Sequence, residues 1–132
     1  GFRAPSLDER YFNDSIHGTH FFVTYFRNHF DGTTHNTNGV SSYGGLVFWS
    51  HNRFNNAIGN VFGSSAYTSY ETNLADSFSS VCGLGFQGSH GGSALGNDAN
   101  VKRTLMRWGN WDNVTSTNDN ASNDATGTRF LM

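Results

Sequence analysis

Three stretches of this 132-residue chain carry variations on one theme: an asparagine, one intervening residue or none, and an aromatic, set among glycines. The segment His51 to Gly63 states it most fully, with four asparagines and two glycines between single apolar residues, and ends Asn60-Val61-Phe62-Gly63. Asn28-His29-Phe30 carries the same core, and Gly109-Asn110-Trp111-Asp112 is a looser third copy. Ala57-Ile58 and Val61-Phe62 are too short for sandwich strands. They suit a solenoid coil, whose brief strands meet at bends and whose repeats stack on one another. Asparagine fits such bends for two reasons. It tolerates the left-handed backbone conformation, and its amide can hydrogen-bond from coil to coil as a ladder. The repeat therefore predicts an all-β solenoid of a few coils with long loops.

Composition supports this reading and excludes several alternatives. Aromatics make up 15% of the chain and charged residues only 14%, so the chain has ample apolar material for a core and little charge to keep it disordered. Net charge is −2 and Lys102 is the lone lysine, which leaves no basic surface for a phosphate backbone and argues against nucleic acid as a partner. No apolar run approaches the ~18 residues of a membrane span. Cys82, the single cysteine, excludes an internal disulfide framework and is expected as a small buried filler.

The chain reads as one domain over residues 1–132. Phe21 to Phe26 is aromatic and β-branched, a strand closed by the turn Asp31-Gly32. Leu46 to Trp49 is a second strand after Gly44-Gly45. Residues 63–100, rich in serine and glycine, read as a long loop or insertion. Strand signals return from Val101 to Trp111, and residues 113–128 form a polar tail.

With those segments in view, the chain resembles uncharacterised bacterial and viral right-handed parallel β-helix repeat proteins of the pectate-lyase-like superfamily. The residues that carry the likeness are Asp14 to His20, Thr24 to Gly32, Asn52 to Gly63 and Val101 to Asp112. The resemblance implies a right-handed parallel β-helix that begins partway into a coil stack. It also implies an extracellular, cell-surface or virion location. Other protein chains would then cover the coil ends, because an uncapped coil exposes strand edges. Polysaccharide lyases, polygalacturonases and phage tailspikes share the fold, so polysaccharide or cell-surface glycan is the partner class it brings to mind. Activity itself does not transfer with a fold.

Candidate chemistry is sparse. Asp14, His17 and His20 lie closest together, with His29 further on; a bend at Gly18 would bring the first three to one surface spot. A carboxylate with histidines can bind metal or act as general acid and base, whereas Asp14 and His17 at a turn would simply hydrogen-bond neighbouring backbone. No Asp-x-Asp or Glu-Asp pair supplies the acidic calcium cluster of a lyase, and no dedicated metal site or cofactor is expected. Arg27, Arg53 and Arg107 are expected as structural ion pairs near Asp31 and Asp112. The aromatics Tyr43, Trp49, Tyr67, Tyr70, Trp108 and Trp111 offer flat faces for sugar stacking, with Tyr67 and Tyr70, in the serine-rich segment, and Trp111 as the leading candidates; Trp49 is expected to be covered. The expected function is a surface-exposed or virion-associated segment that binds carbohydrate. Its rivals are a polysaccharide lyase or glycoside hydrolase, and a purely architectural spike or fibre subunit.

Overall fold

A computed structural model describes residues 11–16, 18–30, 45–63, 67–75, 80–114 and 117–118. The architecture is all-β. The first pass of the chain lays down β1 (Tyr11–Asn13), β2 (Thr24–Phe26) and β3 (His29–Phe30). The second lays down β4 (Leu46–Phe48), β5 (Asn56–Ile58) and β6 (Val61–Phe62). Then follow β7 (Ser69–Asn73), β8 (Ser80–Leu84), a small hairpin of β9 (Ser89–His90) and β10 (Ser93–Ala94), and the short helix α1 (Asn100–Thr104). The chain continues through β11 (Met106–Trp108), β12 (Trp111–Asp112) and β13 (Thr117–Asn118).

Each pass contributes to three separate sheets, and the pairing between passes is parallel. One sheet has the order β1-β4-β8-β7, a second β11-β5-β2, and a third β13-β12-β6-β3, in which only the β12–β13 pair is antiparallel. The register places Tyr25, Ala57 and Arg107 in one row and Phe30, Phe62 and Asp112 in another; all six are buried. Successive side chains of a strand point to opposite faces. The neighbouring rows Phe26–Ile58–Trp108 and His29–Val61–Trp111 therefore face outward. The core joins the inward rows to Leu46, Phe48, Val81, Cys82 and Leu84 of the first sheet, with Phe30 stacked on Phe62 at 5.2 Å between ring centroids.

Asn28, Asn60 and Asn110 stand at equivalent positions between the second and third sheets. Asn60 Oδ1 accepts the Asn28 backbone N–H at 3.0 Å and the Asn28 amide at 3.1 Å. Asn110 Oδ1 in turn accepts the backbone N–H and side-chain amide of Asn60, both at 2.9 Å. Asn60 and Asn110 also donate back to the carbonyls of Tyr25 and Ala57. The left-handed backbone falls one residue earlier than expected, on Arg27 (φ 54°), Gly59 (φ 66°) and Gly109 (φ 64°). The preceding residue makes the bend, and the asparagine side chain then satisfies the backbone groups that the bend leaves unpaired. Phe22 (φ 59°) and Phe54 (φ 60°) make a second such corner before β2 and β5, where Asn55 Oδ1 accepts the Val23 N–H at 3.0 Å.

Two expected boundaries are corrected. The described residues between 63 and 100 carry β7, β8 and the β9–β10 hairpin where a loop was expected, and every residue of β8 is buried. Val101 to Thr104 belongs to α1 rather than to a strand, because Asp98 Oδ1 accepts the Asn100 N–H and Thr104 Oγ1 bonds back to the Asn100 carbonyl. Gly85 ends β8 at φ 75°, and a Cβ there would lie 2.2 Å from the Asp98 carbonyl oxygen, so this close approach requires glycine. Among the described residues no helix is long and apolar enough to cross a membrane.

Candidate functional site

The outer face of the β2–β5–β11 sheet holds the densest exposed aromatic surface among the described residues. Its rows are Thr24–Asn56–Met106 and Phe26–Ile58–Trp108. Trp108 is 67% exposed and Phe26 57% exposed, far beyond what a core residue shows. At the corner before these strands Phe22, itself 73% exposed, stacks on Phe54 with centroids 5.5 Å apart and planes 19° from parallel. Asn56 donates its amide to Thr24 Oγ1 at 2.9 Å, so a polar pair lies beside the ring row. The Arg27 guanidinium carbon lies 5.2 Å from the centre of the Phe26 ring.

The candidates named from sequence are scattered by comparison. Asp14 Oδ1 accepts the Ile16 N–H at 3.0 Å, an Asx turn. His20 donates its backbone N–H to Asn52 Oδ1 at 2.7 Å, with its ring Nδ1 3.3 Å from the same oxygen. Asn52 also donates to the Asp14 carbonyl, so one buried asparagine ties both segments together through backbone contacts. His17 lies outside the described residues. His29 belongs to the outward row of the third sheet, apart from this turn. Among the described residues, no three His, Cys, Asp or Glu side chains are grouped so as to hold a metal ion.

Neither leading tyrosine named from sequence lies on that face; Tyr43 lies outside the described residues. Tyr67 is only 3% exposed, its ring edge-on to Phe62 in the core, and has no open face for a ligand. Tyr70 is half-buried beneath the Arg107 guanidinium, whose carbon is 5.4 Å from the ring centre. Trp111 is half-buried in β12 and borders Gly63. Trp49 is partly covered, with Phe86 edge-on at 5.8 Å. Cys82 is buried, as expected of a small filler. The sequence singles out neither Phe22 nor Phe26, and Trp108 only as one of six aromatics, because alternation within a three-residue strand cannot be phased from sequence alone. The outward register becomes visible only once Tyr25, Ala57 and Arg107 are known to point inward.

The arginines pair differently from expectation. Arg53 Nε bonds Asp98 Oδ2 at 2.8 Å. Burial would raise the Asp98 pKa, but the hydrogen bonds from Arg53 and from the backbone N–H groups of His51 and Asn100 hold it below the ordinary carboxylate range. Arg107 points into the core and its Nη1 lies 2.7 Å from Glu71 Oε2, while Lys102 bonds the other oxygen. Desolvation opposes the charges of this group. Arg107 and the Lys102 hydrogen bond nonetheless keep the Glu71 carboxyl below its usual value, and the neighbouring Cys82, Tyr70 and Glu71 raise the arginine above its own. Asp31, one of the expected partners, lies outside the described residues.

A groove of about 310 Å³ opens near the Phe22–Phe54 corner, lined by Gly18, Thr19, Phe21, His51, His90 and Leu95 among others. His51 is held by its backbone N–H, which donates to Asp98 Oδ2 at 3.0 Å. Phe21 connects the groove to the aromatic corner, its ring centroid 6.5 Å from that of Phe22. No protein-family model, curated protein or solved structure matches the chain.

Proposed function

We propose that the chain is a coil-stack segment of a right-handed parallel β-helix of the pectate-lyase-like kind, displayed at a cell or virion surface, and that it binds carbohydrate. The observation that carries the binding reading is the outward row Phe26–Ile58–Trp108, with the Phe22–Phe54 stack beside it. A sugar ring has an apolar face and a polar rim. Exposed aromatic faces cover the first, and hydroxyl and amide groups such as Thr24 and Asn56 satisfy the second. The helix reading draws support from the strand order, in which each sheet takes one strand from each pass, and from the asparagine ladder between passes. A parallel crossover of this kind is right-handed almost without exception. Other chains of the assembly would then cover the coil ends.

The test is a titration of the purified protein with a panel of bacterial surface polysaccharides, followed by tryptophan fluorescence and calorimetry. Removal of an exposed ring that stacks on ligand costs about 1 kcal/mol or more, so Trp108→Ala and Phe26→Ala should each weaken binding roughly five- to tenfold and leave the far-ultraviolet spectrum unchanged. Binding that ignores both substitutions, or no binding to any polysaccharide of the panel, would refute the reading.

A further inference from the structure

We infer that Lys102 and Asn73 are set to join through an intramolecular amide bond, with Glu71 as the catalytic base and acid. Lys102 is the only lysine of the chain, and its Nζ lies 2.5 Å from Glu71 Oε1. The Asn73 side-chain amide donates to the same oxygen, also at 2.5 Å. One carboxylate oxygen therefore holds a primary amine beside a primary carboxamide, the two groups that combine to a new amide with loss of ammonia. The surrounding elements fix this arrangement. Glu71 and Asn73 are two residues apart on β7, so both project to the same side of the strand. The end of that strand is pinned: the Leu74 N–H donates to the Leu84 carbonyl and the Asn97 amide to the Leu74 carbonyl, both at 2.9 Å. Lys102 approaches from α1, where its own carbonyl accepts the Leu105 N–H.

Glu71 is placed for the proton transfers. Arg107 is the positioning residue: its Nη1 lies 2.7 Å from Oε2, which leaves Oε1 to the two nitrogens. The Glu71 side chain is only 13% exposed, so bulk water has little access to the shared oxygen. The step balances with these three side chains alone. Glu71 takes a proton from the Lys102 ammonium, and the neutral Nζ attacks Asn73 Cγ. Glu71 then returns the proton to Nδ2 as the Cγ–Nδ2 bond breaks. A new Nζ–Cγ amide bond forms, and the expelled nitrogen, with the second proton shed by Nζ, leaves as ammonium. Attack requires Nζ within ~3–3.5 Å of Cγ, a movement of the flexible lysine stem from one side of the shared oxygen to the other. The product ties β7, the outermost strand of the first sheet, covalently to α1.

Neither the step nor its test depends on what the outer face binds. The experiment is mass spectrometry of the intact purified chain during incubation near neutral pH, followed by tryptic mapping. The chain should become lighter than its sequence by one ammonia. Trypsin should then fail to cut after Lys102, so that residues 54–103 are recovered as one fragment carrying the whole deficit. Lys102→Met and Asn73→Ala should each abolish the loss, and Asn73→Ala should also restore cleavage after Lys102. Asn73 is exposed, so its replacement should leave the circular dichroism spectrum unchanged. Glu71→Gln should slow the reaction at least ~100-fold, the lower bound for a positioned acid–base group; if that variant does not fold, the other two carry the test. A chain that keeps its full mass throughout would overturn the inference. So would an ammonia loss that persists in Lys102→Met, because the asparagine would then be closing on its own backbone, and so would a rate that a folded Glu71→Gln leaves unchanged.

Discussion

Replacing Asn60 with alanine should be among the most damaging single changes available outside the apolar core. The Asn60 side chain is fully buried and makes four hydrogen bonds: two accepted from Asn28, one donated to the Tyr25 carbonyl and one donated to Asn110. Alanine leaves two backbone groups, the Asn28 N–H and the Tyr25 carbonyl, without these partners, whereas Asn110 Oδ1 still accepts the Asn60 N–H. Each stranded backbone group costs about 1–3 kcal/mol, so the total is about 4 kcal/mol, a large share of the ~5–15 kcal/mol that holds a domain together. Asn110→Ala strands an equivalent pair, the Asn60 N–H and the Ala57 carbonyl, and should cost about as much. Asn28→Ala removes one partly exposed side-chain bond and should cost about 1 kcal/mol or less. Urea unfolding followed by tryptophan fluorescence and circular dichroism measures all three. The Asn60/Asn110 double variant should lose less than the sum of the singles, because the bond between the two side chains is removed only once. An Asn60→Ala cost within 1 kcal/mol of that for Asn28→Ala would sink the argument that the ladder is a buried, cooperative unit.

Glu71→Gln leaves Arg107 charged in the core without its counter-ion, and breaking such a pair costs about 3–5 kcal/mol; denaturant unfolding at pH 7 checks it, and a loss under 1 kcal/mol would mean that the guanidinium is compensated elsewhere. The folded-state pKa values of Glu71 and Asp98 lie below their ordinary values of 4.5 and 3.8. Their contribution is therefore complete above those values and drains away as pH falls through the folded ones. Stability measured from pH 6 to pH 2 should drop on the acid side, and Glu71→Gln should flatten that slope. Arg27→Gly places glycine where the matching bends already have Gly59 and Gly109. It should relieve about 1 kcal/mol of left-handed strain, partly offset by loss of the contact with Phe26, and thermal melting should show a small rise rather than a fall.

The part of the fold that could be read in advance is the part where side-chain identity and backbone geometry are locked together. Asn28, Asn60 and Asn110 mark equivalent bends because the amide is needed there, and no other side chain of that length carries its paired donor and acceptor. β8 was invisible for the opposite reason. Ser80, Val81, Cys82, Gly83 and Leu84 are buried on both faces, so they show no alternation, and their small size mimics a loop. The candidate site was legible as a kind of surface more than as residues: Trp108 was one of six aromatics named for it, whereas Phe26 was not named and Tyr67 lies in the core. Strands of two or three residues do not span one full period of alternation with any redundancy. Which side of a ring faces water is decided by the inward anchors on neighbouring strands.

The buried rows change character from one edge of the sheets to the other. Tyr25 gives way through Ala57 to Arg107, and Phe30 through Phe62 to Asp112, while the first sheet ends on β7 with Glu71. The consequence is a polarity of growth. A further oily layer laid over that edge would meet the Arg107–Glu71–Lys102 group instead of apolar side chains, and an ionic neighbour opposes addition there. The first row presents the same oily chemistry as the layer beneath it, so an added layer of like kind meets no such barrier. Among the described residues the two edges thus differ in chemistry, so stacking of further apolar layers would have a direction.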